Sequence, residues 1–506
     1  MYFNTVAITF SLALTVFLAA YIGRSLIFFF IARNIMKAFP YKTSQARLGV
    51  TIGGSFWDNA NAFLNSFGIG IPETNTGLGI QSELGSCTPL NRQFKNTDYE
   101  PFISVLIATY NELKVIDCLM KSCAALTYNQ NKFEVIVIDD SEDETFRILK
   151  IWEKKIQNLK VIHRSNRKGW KGGAMNVALN NMSAKSSYAL IVDADNILPS
   201  DTLERFVSCF NDCNLEENIG AIQGYPISRL YYNDNNSRPH IFDQAEYYFN
   251  WVSKANDFRL AKRNLVEFVA KDRLSLPIQI TGSLFMIKSE LIKSLGFSED
   301  LTEDWNLTLD LYFSPDTVLQ YTHPSNCKNR QQSRNVVMRK VLYDPSLISY
   351  SSTITKFRAY FRQRMRVSEG HTRGFRKNVS NILTSKIRLR DKVEFFLMGL
   401  QYSKFIAVVT LIIIDFTLLV SNGIDFVTSG NLVKISLLFQ AIILLMAIGI
   451  SFIQLDVCST IRSYNVRDAL YLIFLSSCTI PAFVIGSFNG FFRNKGIFYR
   501  TERNID

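Results

Sequence analysis

The stretch YALIVDADN, residues 188–196, decides the fold of this chain. The run Ala189–Val192 is short, aliphatic and uninterrupted, which is typical of a strand covered on both faces in a parallel sheet. Asp193 and Asp195 follow directly and are therefore predicted at the carboxyl end of the strand. Ligands of open α/β sheets bind at that edge, and two acids separated by a small residue can share a divalent cation with phosphate oxygens. A polar turn that merely ends the strand is the alternative.

The chain around this stretch alternates strand and helix patterns from Pro101 onward. Such βαβ order predicts an α/β fold with a Rossmann-like, doubly wound parallel sheet. The predicted strands are 102–109, 133–138, 159–163 and 189–192, and further elements are expected near 220–223, 243–260, 278–287 and 301–311.

Apolar residues cluster towards the two ends of the 506-residue chain, and the hydrophobic content is 47%. This distribution predicts an integral membrane protein with a soluble middle. The predicted spans are 5–23, 405–420, 435–453 and 469–488.

Arg24, Arg33 and Lys37 follow the first span, whereas no Lys or Arg precedes it. The positive-inside rule therefore predicts that Met1 lies outside the cell membrane and the soluble middle in the cytoplasm, and a secretory signal peptide is the less favoured interpretation. Three later spans would place the basic tail outside, against the same rule. One of them is therefore expected to be re-entrant, or residues 393–420 to hide an extra turn through the membrane.

The net charge of +12 is mostly local. The segment from Lys356 to Lys392 contains twelve Lys or Arg residues and only two acidic residues, and its start is amphipathic. Because it precedes an apolar stretch, it is predicted to be a helix at the bilayer surface rather than a nucleic-acid site. The predicted units are 1–40 (membrane helix), 41–100 (linker), 101–350 (catalytic domain), 351–400 (interface helices), 401–492 (membrane helices) and 493–506 (basic tail).

Acidic and hydroxyl side chains follow several predicted elements. Asp139 and Asp140 end the second strand, residues 109–112 (Thr-Tyr-Asn-Glu) end the first, and Thr302-Glu303-Asp304 opens a predicted helix. Parallel strands place these groups along one edge, which becomes a single acidic crevice. A nucleoside diphosphate with its metal supplies both the cation and the oxygens that such a crevice can bind.

Seven short motifs in this order resemble the family 2 glycosyltransferases of GT-A fold, and most closely the membrane-embedded synthases of cellulose, chitin and hyaluronan. The motifs are Ala-Thr-Tyr-Asn-Glu (108–112), Asp-Asp-Ser (139–141), Lys-Gly-Gly-Ala-Met-Asn (171–176), Asp-Ala-Asp (193–195), Thr-Gly-Ser (281–283), Thr-Glu-Asp (302–304) and Gln-Arg-Met-Arg-Val (363–367). The resemblance covers about residues 101–370.

The resemblance implies a role for each matched residue on the donor side. Asp139 or Asp140 would contact the nucleobase end of a UDP-sugar, in a pocket shared with Thr109, Tyr110 and Glu112. Lys171 would lie on the diphosphate, and Gly173 would let the backbone approach it closely. Asp193 and Asp195 would hold Mg²⁺ or Mn²⁺ on the phosphates, where the metal stabilises the leaving group.

On the acceptor side, the resemblance implies that Asp304 is the general base of an inverting displacement. The residues alone do not distinguish Asp304 from Glu303, and an acid stabilised by a helix N-terminus is the plain alternative. Gly282, Ser283, Glu303, Trp305, Gln363 and Arg366 would border the acceptor or product.

Val367 stands where processive members of the family have a Trp that stacks on the growing polymer. The leading prediction is an inverting hexosyltransferase that extends a β-linked polysaccharide from a UDP-sugar and exports it. Transfer of one sugar to a lipid, such as a polyprenyl phosphate or a ceramide-like lipid, is the alternative that Val367 favours. A non-catalytic scaffold is disfavoured because it has no reason to keep uncompensated acids in one crevice.

Overall fold

The computed structural model of the protein describes residues 2–37, 99–212, 219–229, 250–313, 340–422, 431–460, 462–494 and 496. The predicted linker, apart from residues 99 and 100, lies outside these ranges, as does most of the basic tail.

The soluble part alternates strands and helices as the sequence predicts. Its elements are β1 (Ile103–Thr109), α2 (Ile116–Ala124), β2 (Phe133–Asp139), α3 (Thr145–Glu153), β3 (Leu159–His163), α4 (Trp170–Asn181), β4 (Tyr188–Asp193), β5 (Asn196–Ile197), α5 (Thr202–Asp212), β6 (Ile219–Arg229), α6 (Trp251–Ala261), a π-helix (Lys262–Phe268), α7 (Val269–Arg273), β7 (Phe285–Lys288), α8 (Ser289–Leu295), α9 (Glu303–Phe313) and β8 (Lys340–Ser352). Helix α1 (Tyr2–Lys37) precedes them.

The strands form one sheet in the order β3-β2-β1-β4-β7-β6-β8-β5. The predicted parallel half is confirmed, since β1 is parallel to both β2 and β4, and β2 is parallel to β3. The predicted α/β fold of GT-A type is confirmed, and the sheet as a whole is mixed rather than parallel, because β7 is antiparallel to β4 and β6. The chain enters β7 from Gly282 at the carboxyl edge of β4, so this strand has to run back down the sheet. The result is a GT-A-like mixed sheet.

Aliphatic side chains cover the sheet on both faces. Val105, Val137 and Val192 belong to one buried cluster, while Leu106 and Ile191 belong to the other. The second cluster also contains aromatic residues of α1 and continues into the C-terminal helices. The continuous aliphatic runs of the central strands therefore bury against two layers, and one of these layers joins the sheet to the helical part.

The C-terminal part is helical: α10 (Phe357–Thr384), α11 (Leu389–Gly399), α12 (Lys404–Asn422), α13 (Asn431–Ile453), α14 (Leu455–Cys458), α15 (Val466–Cys478) and α16 (Ile480–Phe492). Among the described residues, two helical stretches are long and apolar enough to cross a membrane, Thr9–Met36 and Leu437–Cys458. Two further pairs qualify only as bent spans, α11 with the start of α12 (67°) and α15 with α16 (46°). The single spans predicted over 405–420 and 469–488 are therefore corrected to parts of bent pairs, and Pro481 opens the second half of the latter.

Helix α10 differs from the predicted surface helix. Its middle, from Ser368 to Phe375, is buried, and it packs along α16. A Cβ atom at Gly486 would lie 2.4 Å from the Met365 carbonyl oxygen, and one at Gly490 would lie 2.5 Å from the Glu369 carbonyl oxygen. The backbones of the two helices therefore approach each other closely. Helix α10 therefore makes contacts inside the protein as well as at its surface.

Four charged side chains, of which Lys271 and Glu394 are buried and Arg24 and Glu267 half-buried, connect α1 to the part of the chain that follows the sheet. Arg24 lies 2.7 Å from Glu267 and 2.6 Å from Glu394, and Lys271 lies 2.8 Å and 2.9 Å from the same two carboxylates. The two cations balance the two acids, so this group, which we call the ion tetrad, has no net charge. It joins α1, the π-helix, α7 and α11.

Replacing Lys271, whose side chain is 1% exposed, with Met should lower the free energy of unfolding by about 3 kcal/mol, because the buried Glu394 and the half-buried Glu267 are left with one cation. Unfolding of the purified protein in detergent measures the change. The matched variant Lys293→Met removes an exposed lysine and should cost less than about 0.5 kcal/mol. Equal losses for the two variants would contradict the structural role of the tetrad.

Candidate active site

Sheet register brings the predicted groups to one edge. Thr109 pairs with Asp139 across β1 and β2, and Ala108 pairs with Asp193 across β1 and β4. A cavity of about 700 Å³ opens at this edge. Of the predicted site residues, those that line it are Thr109, Tyr110, Glu112, Asp140, Lys171, Asp193, Gly282, Glu303, Asp304, Gln363 and Arg366.

Asp139 and Asp140 differ in position although they are neighbours. Asp139 is fully buried and accepts hydrogen bonds from the Thr109 hydroxyl (2.7 Å) and the Ser141 amide (3.3 Å), with His163 Nδ1 at 2.8 Å. Asp140 lines the cavity and is held by the Arg164 guanidinium. The structure therefore separates the two alternatives: Asp140 reaches the cavity, and Asp139 organises the strand ends behind it.

The loop after β1 forms the wall next to Asp140. Asn111 has a positive φ of 54°, and its side-chain oxygen accepts a hydrogen bond from the Glu142 amide at 2.8 Å. The Arg167 guanidinium lies 3.4 Å from the centroid of the Tyr110 ring, and both residues line the cavity. A planar cation on an aromatic ring forms a flat polar wall at this end. Arg167 was not predicted, because nothing in its sequence neighbourhood indicates that it would reach Tyr110.

Lys171 connects three separate segments. Its ammonium group donates to Asp193 Oδ1 and the Gly282 carbonyl oxygen, both at 2.7 Å, and lies 3.1 Å from Glu303 Oε1. Burial lowers the pKa of Lys171, but the Asp193 and Glu303 carboxylates outweigh that effect and hold it above its usual value. The lysine therefore stays protonated and offsets part of the acidic charge of the cavity.

Asp304 lies at the start of α9, facing Gly282. Gly282 has a φ of 81°, and a Cβ at this position would lie 3.3 Å from Asp304 Oδ2. Burial and the neighbouring Glu303 carboxylate raise the pKa of Asp304 to about 7, although Lys171 opposes the shift. A carboxylate with a pKa near neutrality in a cavity has the properties of a general base.

Asp195 is directed away from the cavity. It is 4% exposed, its Oδ2 accepts a hydrogen bond from Ser352 (2.7 Å), and its Oδ1 lies 3.3 Å from Asn196 Nδ2. Within the described ranges, no three His, Cys, Asp or Glu side chains form a metal-binding group. A hard divalent cation takes about six oxygen ligands, and here only Asp193 of the predicted pair lines the cavity. The two carboxylates as placed do not fit the predicted shared metal site.

Three other predicted residues lie behind the cavity wall. A Cβ at Gly173 would lie 2.1 Å from the Lys168 carbonyl oxygen, so this glycine allows the preceding loop to pack on α4. Ser283 Oγ accepts a hydrogen bond from the Asp193 amide at 2.9 Å. Trp305 is fully buried, stacks on His371 with 4.1 Å between ring centroids, and donates to the His371 carbonyl oxygen. In the structure these three residues contact neighbouring segments and do not line the cavity, and their contacts with a donor or an acceptor stay predictions.

The cavity continues from the sheet edge to the helical part. Gln363, Arg366 and Val367 of α10 line its middle, and Arg364 of the same helix lies near the cations of the far end. Its far end is lined by residues that the sequence reading missed: Arg259, Lys262, Arg263, Lys404, Tyr402, Phe405, Ile450 and Phe483. The spacing of Arg259, Lys262 and Arg263 places them on one face of a helix, which was the available signal.

Part of the chain is similar in sequence to known glycosyltransferases. Residues 104–269 match the model of the family Glycosyl transferase family 2. The beta-monoglucosyldiacylglycerol synthase of Nostoc sp. is 38% identical over 196 residues, which are 38% of this chain and 40% of that protein. A probable glucomannan 4-beta-mannosyltransferase of Arabidopsis thaliana is 33% identical over 113 residues, 21% of this chain and 20% of that protein. The match thus spans less than half the length of these relatives.

Among solved structures, the mannosyltransferase PcManGT of Pyrobaculum calidifontis, in complex with GDP-Man and Mn²⁺, has a TM-score of 0.54. The comparison covers 97% of this chain and 100% of that one, at 16% sequence identity, so it bears on the fold alone. Together, the family match over residues 104–269 and the GT-A-like sheet show that this segment is similar to the family 2 glycosyltransferase domain.

Proposed function

We propose that this protein transfers a hexose from a nucleoside-diphosphate sugar to a hydroxyl group of a membrane lipid. The observation that carries the proposal is the single cavity that extends from Asp140 and Asp304 at the sheet edge to Phe405 and Ile450 on helices of the candidate membrane part. The family match supports glycosyl transfer, and the apolar side chains Phe405, Ile450 and Phe483 at the far end support an acceptor that reaches the cavity from the bilayer.

The donor is assigned to the sheet edge. Tyr110, Arg167 and Asp140 form a flat polar wall of the kind that a nucleobase and ribose occupy. Lys171 and Arg366 are the cations placed between this wall and Asp304, and they would lie on the diphosphate. UDP-sugars are the proposed donors. PcManGT contains Mn²⁺ in its complex, and the prediction of Mg²⁺ or Mn²⁺ here stays a prediction, so every step below is assigned to residues of the chain.

The proposed chemistry is one displacement. Asp304 accepts the proton of the acceptor hydroxyl while the oxygen attacks the anomeric carbon of the sugar. The bond from that carbon to the phosphate oxygen breaks, and the nucleoside diphosphate leaves with the electron pair. Lys171 and Arg366 stabilise the negative charge on the leaving group. Attack opposite the leaving group inverts the anomeric centre.

The lipid acceptor is favoured by Val367, whose aliphatic side chain lines the cavity where a polymer-stacking ring would otherwise be expected. The Nostoc relative is, by name, a glycolipid synthase, which agrees with this choice. Extension of a β-linked polysaccharide, the leading prediction from the sequence, is the second candidate. It is favoured by aromatic rings on the cavity wall, since Phe483 stacks on Tyr402 and Phe405 with centroid distances of 5.6 Å and 4.6 Å.

The product distinguishes these two acceptors. Membranes containing the protein are given radiolabelled UDP-glucose, UDP-N-acetylglucosamine, UDP-glucuronate or GDP-mannose, and the products are partitioned into organic solvent. A labelled lipid that enters the organic phase and carries one sugar is expected. A solvent-insoluble, high-mass product would support the polysaccharide instead, and no transfer from any donor would contradict glycosyl transfer itself.

Asp304→Asn should lower kcat/KM by about 10²–10⁴-fold, because it removes the proposed base, while donor binding is retained. In the wild type, the rate should fall as the pH drops below about 7, since the base works only when it is deprotonated. Initial rates of nucleotide release across pH measure both effects. The matched variant Asp310→Asn removes an acid from the same helix outside the cavity lining and should leave the profile unchanged. Normal turnover by Asp304→Asn would remove the base assignment.

Lys171→Met should move the acidic limb of the pH profile of the residual activity upward by about one pH unit. The reason is that the Lys171 charge lowers the pKa of Asp304 in the wild type. Lys168→Met, which removes an exposed lysine just before α4, is the control and should leave the limb in place. A lower rate with an unshifted limb would show that Lys171 does not act on Asp304.

A further inference from the structure

The far end of the cavity carries an excess of positive charge. Five cationic side chains line it, which we call the cation cluster: Arg259, Lys262, Arg263, Arg364 and Lys404. They come from α6, the π-helix, α10 and α12, so four elements contribute to one charged region.

The acids nearby do not balance this charge. Glu267 also lines the cavity, but it belongs to the ion tetrad, where Arg24 and Lys271 already neutralise Glu267 and Glu394. The remaining cavity acids, such as Asp193 and Glu303, lie at the sheet edge on Lys171. Among the described residues, no ion pair is formed by any member of the cation cluster.

The cluster instead makes only neutral contacts within the described structure. Arg259 Nη2 donates to Asn256 Oδ1 (2.9 Å), Lys262 donates to Ser451 (3.2 Å), and Lys404 lies 4.6 Å from the centroid of the Tyr21 ring. The Nε groups of Arg263 and Arg364 are buried and have no hydrogen-bond partner. Arg364 as a whole is 8% exposed. Buried donors without partners are costly, and an anionic ligand would satisfy them.

The pKa shifts of two members of the cation cluster agree with this geometry. Burial, followed by the charges of Arg364 and Arg263, lowers the pKa of Arg259 to about 10, and burial lowers the pKa of Lys262 to about 8. Both shifts show charged groups short of counter-charge. A bound anion would favour the protonated forms again.

The surroundings indicate what carries the anion. Ser451, the partner of Lys262, lies on the candidate membrane helix Leu437–Cys458, and Tyr21, under Lys404, lies on Thr9–Met36. Phe405, Ile450 and Phe483 add apolar wall beside the cations. Cations next to a hydrocarbon surface suit an amphiphile, whereas a donor diphosphate is assigned to the opposite end of the cavity.

We propose that the cation cluster binds the phosphate group of a membrane lipid, which is the acceptor or its carrier. This rests on the proposed function in one respect, namely that a lipid enters the cavity as acceptor. It goes beyond that function because it selects phosphate-bearing lipids over neutral ones such as diacylglycerol. The phosphate oxygens would accept hydrogen bonds from the guanidinium and ammonium groups, and the chains would lie along the apolar wall.

The test compares two lipids that differ only in a phosphate. The full-length protein is placed in phosphatidylcholine vesicles that contain either phosphatidic acid or diacylglycerol with the same acyl chains, and the retained lipid is measured after purification. We expect at least about tenfold more phosphatidic acid than diacylglycerol, the ratio that a binding difference of about 1.4 kcal/mol produces. Equal retention of the two lipids would overturn the proposal.

Variants separate the cluster from other causes. Lys262→Gln/Lys404→Gln should reduce phosphatidic acid retention about tenfold, whereas the matched variant Lys254→Gln/Lys293→Gln, with both lysines outside the cavity lining, should retain it. Undiminished retention by the first variant would overturn the proposal. Should that variant not fold, Lys262→Gln alone is measured in the same way, and the comparison of the two lipids on the wild type decides independently.

Two further measurements identify the ligand. Inorganic phosphate is added as a competitor, and displacement of the lipid at equal concentration would overturn the lipid assignment, because it would show a site for free anions. Binding of a UDP-sugar is followed in the same variants and should be unchanged; an equal loss would assign the cluster to the donor. If the wild type binds the phosphate-bearing lipid but transfers no sugar, the proposed function fails while this inference stands.

Discussion

The contact that the candidate site depends on is the ammonium group of Lys171, held between Asp193, Glu303 and the Gly282 carbonyl oxygen. These three partners belong to the end of β4, the start of α9 and the turn that leads into β7. Without a cation at this point, several acids would face one another in a cavity with little water to screen them. The lysine thus allows the acids to be close together, and its charge opposes the rise of the Asp304 pKa.

The helical part contains two groups of charged residues that differ in their charge balance, the ion tetrad and the cation cluster. In the ion tetrad, two cations meet two carboxylates, so each charged group has an opposite charge as its neighbour. In the cation cluster, Arg259, Lys262 and their neighbours have no such partners among the described residues. The contrast separates charge that supports the fold from charge that is available to a ligand.

Much of the architecture could be predicted from local sequence patterns. The aliphatic runs before Thr109, Asp139 and Asp193 gave the parallel strands, and parallel order then required their ends to meet. The direction of β7 and the orientation of the Asp195 side chain could not be predicted from local patterns. The antiparallel β7 follows from where the chain re-enters the sheet, and the rotation of Asp195 towards Ser352 follows from the position of β8, which is distant in sequence.

Burial in the helical part could not be predicted for the same reason. The amphipathic pattern of α10 predicts a surface helix, yet α16 packs along it, and Trp305, predicted beside the acceptor, is covered by His371. The cation cluster combines residues from four elements that lie up to 145 positions apart, between Arg259 and Lys404. Only the spacing of Arg259, Lys262 and Arg263 was visible locally, and nothing in it showed that the face would line a cavity.

The close approach of α10 and α16 has a mechanical consequence. Gly486 and Gly490 leave no side-chain layer between the two backbones, so neither helix can rotate or slide without a clash with a carbonyl oxygen of the other. Residues 363–366 of the cavity wall are therefore fixed rigidly to a helix of the bent C-terminal pair. A side chain at Gly486 or Gly490 would therefore push the two helices apart and displace the part of the cavity wall that Gln363 and Arg366 form.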